Sequence, residues 1–574
     1  MMTASDARTL ATRLAQLDAG ALAALLAARH VPADVAWLDF FDAADALLDP
    51  ALIARALTEL TLADVEALAP AVHGDAAVAG AARERLLARA LIDPDGRPYQ
   101  AVAAAYRDAE RLAVSPPTPA RPAPRGPDSD AHSAEQAFAI TASLADVVVL
   151  AERTPLGRIG SGALSAGDRR RLVEAGAVDD GADADDVVAI AQAAGLLTAT
   201  DRHWLLTDRA AAWLQRSTAE RWFAVATALR DALPPALRTP DGGWPPPSQW
   251  VRAHPFDPAW PARAEHLRTL WRRWALLNTD DTTPSWASGL ADGGEPDPSA
   301  LRELLPQEVS QVYLQNDLTA IAPGPLASDL DIRLRRMARR ESRAQAATYR
   351  FTAETIGAAL ASGETAESLT AFLTELSLTG VPQPLAYEIE RGASRHGAVR
   401  VGPDTHGRTR VSGDTDLLAS IAVDQGLRAL GLIRDGSTFV SRTNPEAVFW
   451  MLADARYPVL AVDESGAPRV LDRHPAAPAP DPEPSPRERY APLIERLRAS
   501  DGADADAAWM ERELEQAVRT RANVAIVVRM PDGSTREVTV EAAGLSGGRL
   551  RGRDRSADVE RTLPVSSIVS VRPL

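Results

Sequence analysis

The sequence predicts a multidomain protein, mainly α with small β elements: a helical N-terminal bundle, winged-helix units and a C-terminal SH3/Sm-like small β-barrel. Three observations predict it. The chain has 574 residues, too many for one core when a domain takes roughly 100 to 200. Two stretches, "SPPTPARPAPRGPDSD" from Ser115 and "PAAPAPDPEPSP" from Pro475, are Pro-rich and nearly lack large apolar side chains, so they read as extended linkers. Apolar residues recur every three or four positions in the N-terminal segment but every second position from Asn523 onward, the change from helix to strand. The boundaries that follow are a helical domain over 1–113, a linker over 114–135, a winged-helix-like region with a Trp-rich extension over 136–300, an α/β domain over 301–473, a second linker over 474–488, and a helix plus small barrel over 489–574.

In the N-terminal segment, "DAGALAALLAARH" and "DPALIARALTEL" have helical spacing, Asp18 and Asp49 stand as caps, and Pro50 suits a first helical turn. After the first linker, "LSAGDRRRLVEAG" opens with Ser165 as N-cap and Asp168 three residues on, a variant of the capping box. Farther on, "DADDVVAIAQAAGLLTATDRHWLLTDRAAAWL" gives a helix stopped at Gly195, two short strands around Ala199 to His203, and a helix capped by Thr207 or Asp208. Helix, helix, hairpin is winged helix-turn-helix order. "GSG" at Gly160 to Gly162 reads as a plain turn, since no strand precedes it in a βαβ setting.

Nine of the twelve tryptophans lie between Trp204 and Trp286. Exposed, they could stack on bases; Trp271 and Trp274, spaced among Leu267, Leu270 and Leu276, read instead as core. "VYLQNDLTAIAPGPL", Val312 to Leu326, reads as a hairpin with Asn316-Asp317 at the φ > 0 positions and Pro323-Gly324-Pro325 as the stop. The following "DIRLRRMARRESRAQA" reads as an Arg-dense helix with Arg333, Arg336, Arg340 and Arg343 on one face, either a solvated surface or a phosphate-contacting one. Three helices come next. Thr352 caps the first, Ser362-Gly363 ends it, Thr365 caps the second and Pro384 starts the third, which ends at Gly397 and runs into a β-like "AVRV". This is again helix-turn-helix order, and Arg391 and Arg395 project from one face of its second helix.

"VYLQNDLTAIAPGPL", "RRESRAQAATYRFTAETIGAALASGETAESLTAFL" and "VPQPLAYEIERGASRHGAVRV" together resemble the helicase-associated domain of XPB-type DNA repair helicases and of motor-less actinobacterial proteins that carry the same domain. The resemblance is strongest over Val309 to Val401 and extends to "RYPVLAVDESG", similar to the domain's closing strand; "GSGALSAGDRRRLVEA" resembles what precedes the domain in the motor-less group. What it implies is DNA binding and DNA repair without a motor. The C-terminal strands, "NVAIVVRM", "STREVTVEAAGL", "GGRLRGRD" and "VERTLPVSSIVSVRP", are similar to the C-terminal half of a WYL domain, although the Trp-Tyr-Leu tripeptide is absent; the resemblance implies binding of nucleic acid or a small regulator. Arg549, Arg551, Arg553 and Arg555 alternate along one face, as phosphate contacts or as the charges of a solvated edge strand.

Composition limits the chemistry. There is no cysteine, and all 62 basic residues are arginine, so thiolate chemistry, a Walker A lysine and Schiff-base catalysis cannot be built. "VDES", Val462 to Ser465, is a lone acidic turn, and an ATP-driven motor needs phosphate cradle, metal carboxylate and arginine finger together. No HExxH, GxSxG or dinucleotide fingerprint stands in its proper setting. The expectation is a non-enzymatic protein, with no cofactor or metal. The net charge of -16 repels nucleic acid at long range, so any contact needs a local arginine patch. No stretch approaches about 18 uninterrupted apolar residues, and a cytoplasmic protein without membrane contact is expected. DNA is the expected partner, with a separate helicase or repair protein as a second; a scaffold or ligand-sensing regulator that does not bind DNA is the alternative.

Overall fold

A computed structural model describes residues 6–112, 129–342, 346–473, 476–477, 484–499, 505–530, 533–554, 557 and 559–573. The fold is multidomain and about half helical, with several small sheets. It divides into two compact units whose segments alternate along the chain: Met1–Ala120 with Ser248–Glu265 and Asp481–Leu574, and Arg121–Pro247 with His266–Pro480.

The first unit begins with helices running from α1 (Asp6–Gln16) and α2 (Ala19–Ala28) through α3 (Phe40–Leu47) and α4 (Pro50–Thr58) to α7 (Gln100–Leu112). Asp18 caps α2 and Asp49 caps α4, each carboxylate accepting from free amides of the first turn, with Pro50 at the start of α4. Helix α22 (Pro486–Ala499), which the sequence assigns across the end of the second linker and the start of the C-terminal domain, belongs to this core instead. Its Tyr490, Leu493, Ile494 and Leu497 are buried with Leu10, Leu22 and Phe40, and the Tyr490 hydroxyl donates to the Val31 carbonyl at 2.6 Å. The i, i+3, i+4, i+7 pattern was visible, but periodicity names a face and not its partner.

Helix α23 (Ala505–Thr520) leads into strands β13 (Asn523–Arg529), β14 (Thr535–Ser546), β15 (Arg549–Asp554), β16 (Val559–Pro564) and β17 (Ile568–Pro573), in the order β16-β15-β14-β13-β17. Leu514 of α23 joins Ile526, Val540, Ala542 and Leu550 in a small core. Strand β15 lies between two partners and is not the solvated edge that its charge suggests; Arg555 is outside the described residues. On α23, burial pushes the Glu513 carboxyl up to about 7, with Arg8 partly offsetting it, and neither carboxyl oxygen has a hydrogen-bond partner among the described residues. Because the folded form keeps its proton longer than the unfolded chain, stability is unaffected below the unfolded value near pH 4.5, falls as pH rises toward 7 and stays low above it. Glu513→Gln should therefore leave thermal unfolding unchanged at pH 4.5 and stabilise at pH 8 by about 2 kcal/mol, allowing for partial exposure; equal melting shifts at both pH values would contradict this.

The second unit opens with α8 (Ser129–Arg153), which starts inside the segment expected as linker. By length and composition it is apolar enough to cross a membrane, but it is mostly buried within the protein, with Leu144, Val147 and Val148 in the core. After it come β1 (Leu156–Gly157), α9 (Ala166–Glu174), α10 (Gly181–Ala193), β2 (Leu197–Ala199) and β3 (His203–Leu206), the strands forming a sheet in the order β1-β3-β2. Ser165 caps α9 as read from the sequence. All nine tryptophans from Trp204 to Trp286 are buried, which removes them as an exposed stacking platform. In this unit Trp222 and Trp274 each donate an indole N–H to the other's carbonyl, at 2.8 and 3.2 Å, so the polar edge of each ring is satisfied inside the core.

Strands β4 (Tyr313–Leu314) and β5 (Thr319–Ala322), helix α16 (Ser328–Met337), and strands β6 (Arg339–Ser342) and β7 (Ala347–Arg350) follow, with sheet order β4-β5-β7-β6. The hairpin and its Pro-Gly-Pro stop are as expected, but the positive φ falls on Leu318, at +63°, rather than on Asn316-Asp317. The Thr319 hydroxyl donates to the Asp317 carboxylate at 2.5 Å, and Leu318 packs against the core. That apolar contact offsets a backbone conformation costly for a side chain with a Cβ. Next are α17 (Ala353–Ala361), α18 (Ala366–Leu376) and α19 (Gln383–Arg395), with Thr352 and Thr365 capping the first two. A five-stranded sheet closes the unit, ordered β10-β11-β9-β8-β12, from β8 (Val399–Pro403), β9 (Thr409–Gly413), β10 (Ile433–Asp435), β11 (Thr438–Ser441) and β12 (Val459–Ala461). Its buried face carries Val399, Val401, Val411 and Val459. Most of both linkers lies outside the described residues; Ala477 donates its amide to the Leu206 carbonyl at 2.8 Å.

Candidate nucleic-acid interface

The expected four-arginine helix face does not form. Helix α16 ends at Met337, and the chain turns into β6, so Arg340 sits on a strand; Arg343 is outside the described residues. The reason is packing. Leu334 and Met337 are buried, and β6 pairs with β7, which a continuing helix would forbid.

The arginines of this segment are held by carboxylates of their own unit. Asp146, buried on α8, lies 2.8 Å from the Arg335 guanidinium and also pairs with Arg340. Asp331 stands 3.6 Å from Arg335 and 4.0 Å from Arg340, and it accepts from the Tyr349 hydroxyl at 2.6 Å. Burial works against the charge on Arg340, but Asp146 and Asp331 outweigh it and raise its pKa. Burial, reinforced by Asp331, pushes the Tyr349 hydroxyl up, keeping it a neutral donor. Arg333 donates to the Glu364 carboxylate at 3.2 and 3.3 Å and lies 4.4 Å over the Phe372 ring. Burial alone would raise Glu364, yet the Ser368 hydroxyl and Arg333 hold it below the ordinary range. Arg336, half-exposed, stands 3.7 Å from Glu152. A groove of about 530 Å³ runs beside Arg333 and Arg336, but Asp329, Glu364 and Glu375 also line it, so it is not an anion site.

Helix α19 is different. Leu385 and Ile389 point into the core, while Tyr387, Glu390, Arg391, Ser394 and Arg395 are exposed at three- and four-residue spacing. Arg391 is 3.3 Å from Glu388; Arg395 has no ion pair among the described residues. His396 is half-buried and pushed down by that burial, which keeps its ring neutral near pH 7.

The β8–β9 hairpin extends this face. Arg400 is exposed between buried Val399 and Val401, and Arg410 between buried Thr409 and Val411; the register sets Arg400 opposite Ser412 and Gly402 opposite Arg410, on the side away from the valine core. Leu460 pairs with Arg400 on that same side. Gly397, at φ +77°, brings the end of α19 against Leu460, where a Cβ would come within 3.2 Å of its side chain. Arg400 and Arg410 therefore share one face of this sheet, and the end of α19 comes against Leu460 on that face. At the hairpin tip, burial would raise the Asp404 carboxyl, but the Arg408 and His406 amides and the Arg408 guanidinium hold it down at about 2, fixing the turn. Arg400 and Arg410 were missed in the sequence; the alternation Val-Arg-Val at 399–401 and Thr-Arg-Val at 409–411 was the available signal.

Arg549, Arg551 and Arg553 are exposed and alternate with buried Leu550, Gly552 and Asp554, as expected from the sequence. They belong to the other unit.

Residues 312–435 match the family described as "Helicase conserved C-terminal domain". The match covers the segment that carries β4 to β10, including α19 and the β8–β9 hairpin. No curated protein matches the chain. Among solved structures, proteasome accessory factor B/C (PafBC) of Arthrobacter aurescens is similar at 12% identity, over 50% of this chain and 52% of that one, with a TM-score of 0.12; the chain spans about half the length of that protein.

Proposed function

We propose that this chain is a non-enzymatic DNA-binding accessory protein whose contact surface is the exposed face of α19 with Arg400 and Arg410 beside it. The observation that carries the reading is the contrast between two sets of arginines inside the helicase C-terminal match. Arg333, Arg335 and Arg340 lie within hydrogen-bonding or ion-pair reach of carboxylates, whereas Arg395, Arg400 and Arg410 face solvent without one among the described residues. Residues 312–435 hold fourteen arginines against fifteen carboxylates in a chain of net charge -16, so the segment lacks most of the long-range repulsion of the rest.

We read α17, α18, α19 and the β8–β9 hairpin as a winged helix with α19 in the recognition position. We read α8, β1, α9, α10, β2 and β3 as a second one, with its strand order β1-β3-β2 as support. In that second module α10 carries Asp183 and Asp186, which pair with Arg273, and Asp185, which pairs with Arg169, so it offers no cationic face to phosphate and serves packing. The C-terminal sheet is read as an SH3/Sm-like barrel, its last two strands joined by the short turn of 3-10 helix Val565–Ser567. DNA repair and the docking of a separate helicase belong to the same proposal; catalysis and a bound cofactor do not.

A scaffold that binds only protein is the second reading, favoured by the carboxylate-held arginines of α16 and β6. Fluorescence anisotropy of the chain with labelled duplex DNA at two salt concentrations separates them. DNA binding predicts an affinity that falls steeply with salt, by a log–log slope of about -0.9 per phosphate neutralised; no binding at low salt leaves the scaffold.

A further inference from the structure

We infer that the groove between α16 and α18 binds a dipolar ligand, a chain with an ammonium or guanidinium group at one end and a carboxylate at the other; the inference concerns a different face from the DNA-binding reading and does not rest on it. Its basis is the way the two helices run past each other. Arg333 donates to the Glu364 carboxylate and to the Ser368 carbonyl in the first turn of α18, and lies over the Phe372 ring. Arg336, nearly a turn farther along α16, is among the charges that act on Glu364. Asp329 stands about one turn before Arg333, on the side away from Arg336. At the far end of α18 the Val312 amide donates to the Leu376 carbonyl at 2.9 Å, which brings the Ser310–Gln311 stretch to the end where Glu375 stands.

The groove is therefore polarised. Asp329 and Glu375 line it toward one end and Arg336 toward the other, with about 10 Å of helix rise separating Asp329 from Arg336. Ile332, Phe372 and Leu376 supply its apolar lining. Arg333 and Glu364 satisfy each other, but the end groups are left over. The side chains of Asp329 and Glu375 have no ion pair or hydrogen bond among the described residues, and Arg336, half-exposed, is 3.7 Å from Glu152. Between the bridges at Val309 and Val312, the Ser310 and Gln311 backbone groups have no partner among the described residues, so their carbonyls are available to an N–H donor. An anion alone would meet the carboxylates, and a cation alone would leave Arg336 unused. A ligand with both charges on an apolar stem pairs with each end and covers the lining between them. The cavity of about 530 Å³ is of the size that holds small molecules, roughly 300–1,000 Å³.

The test is calorimetric titration of the full chain with 6-aminohexanoate, and with hexanoate and hexylamine, which carry one of its two charges each. The dipolar probe should bind saturably, and either analogue should bind about 10- to 100-fold more weakly, the cost of one charge-assisted contact. D329N/E375Q and R336Q, each established as folded by circular dichroism, should weaken 6-aminohexanoate by a similar factor while R395A leaves it unchanged. Nα-acetyl-L-lysine imitates a C-terminal lysine and separates the two sources of this chemistry: binding tighter than that of 6-aminohexanoate assigns the site to the chain end of a partner, and weaker binding to a free small molecule. Equal binding of the one-charge analogues, unchanged binding in D329N/E375Q and R336Q, or no saturable binding of any probe at millimolar concentration overturns the inference and leaves the α19 surface standing.

Discussion

Replacing Asp146 with Ala should destabilise the second unit by roughly 3–5 kcal/mol, the usual cost of removing one partner from a buried ion pair. Asp146 is buried on α8 and is the shared acid of Arg335 and Arg340, themselves largely buried. Without it two guanidinium groups remain inside with, among the described residues, only Asp331 to share, 3.6 and 4.0 Å away. Denaturant unfolding followed by tryptophan fluorescence reads this directly, since Trp204, Trp213, Trp222, Trp271 and Trp274 are buried in the same unit. Replacing the acid and both arginines together by apolar residues of similar size should recover most of the loss, because the charges are then removed as a set. A single Asp146→Ala variant with an unshifted midpoint would mean that these arginines reach water and that their partners are incidental.

Replacing Arg391 and Arg395 together with Ala should weaken duplex binding about 10- to 100-fold at moderate salt and flatten the salt slope, as expected when two cationic contacts are lost. Arg391 contributes less than Arg395 to the extent that Glu388, 3.3 Å away, already satisfies it. R333A/R336A should stay within about twofold, since Arg333 is already committed to Glu364 and Phe372 and Arg336 stands in a groove lined by three carboxylates. Equal losses in both double variants would extend the binding surface to α16, where the sequence had placed part of it.

The difference between those two surfaces shows what sequence carries and what it does not. Caps such as Asp18, Ser165, Thr352 and Thr365 were legible because a cap acts on amides two or three residues away. The burial of the tryptophans was legible from spacing and mass. The end of α16 was not. Met337 and Arg340 fit a helix equally well by propensity, and the break comes from pairing with β7, a contact that local pattern cannot encode. The same limit hid Asp146, which is 194 residues from Arg340, and the docking of α22 on α2, across more than 450 residues. Arg391 and Arg395 were legible as a pair on one helix face; that the end of α19 meets the sheet face of Arg400 and Arg410 depended on Gly397 closing on Leu460.

The most direct test of the central claim is hydrogen–deuterium exchange of the full chain with and without duplex DNA. Contact through α19 and the hairpin predicts DNA-dependent protection over residues 383–412, with 328–342 unchanged; protection centred on 328–342, or none in either segment under conditions where the duplex is bound, would contradict it.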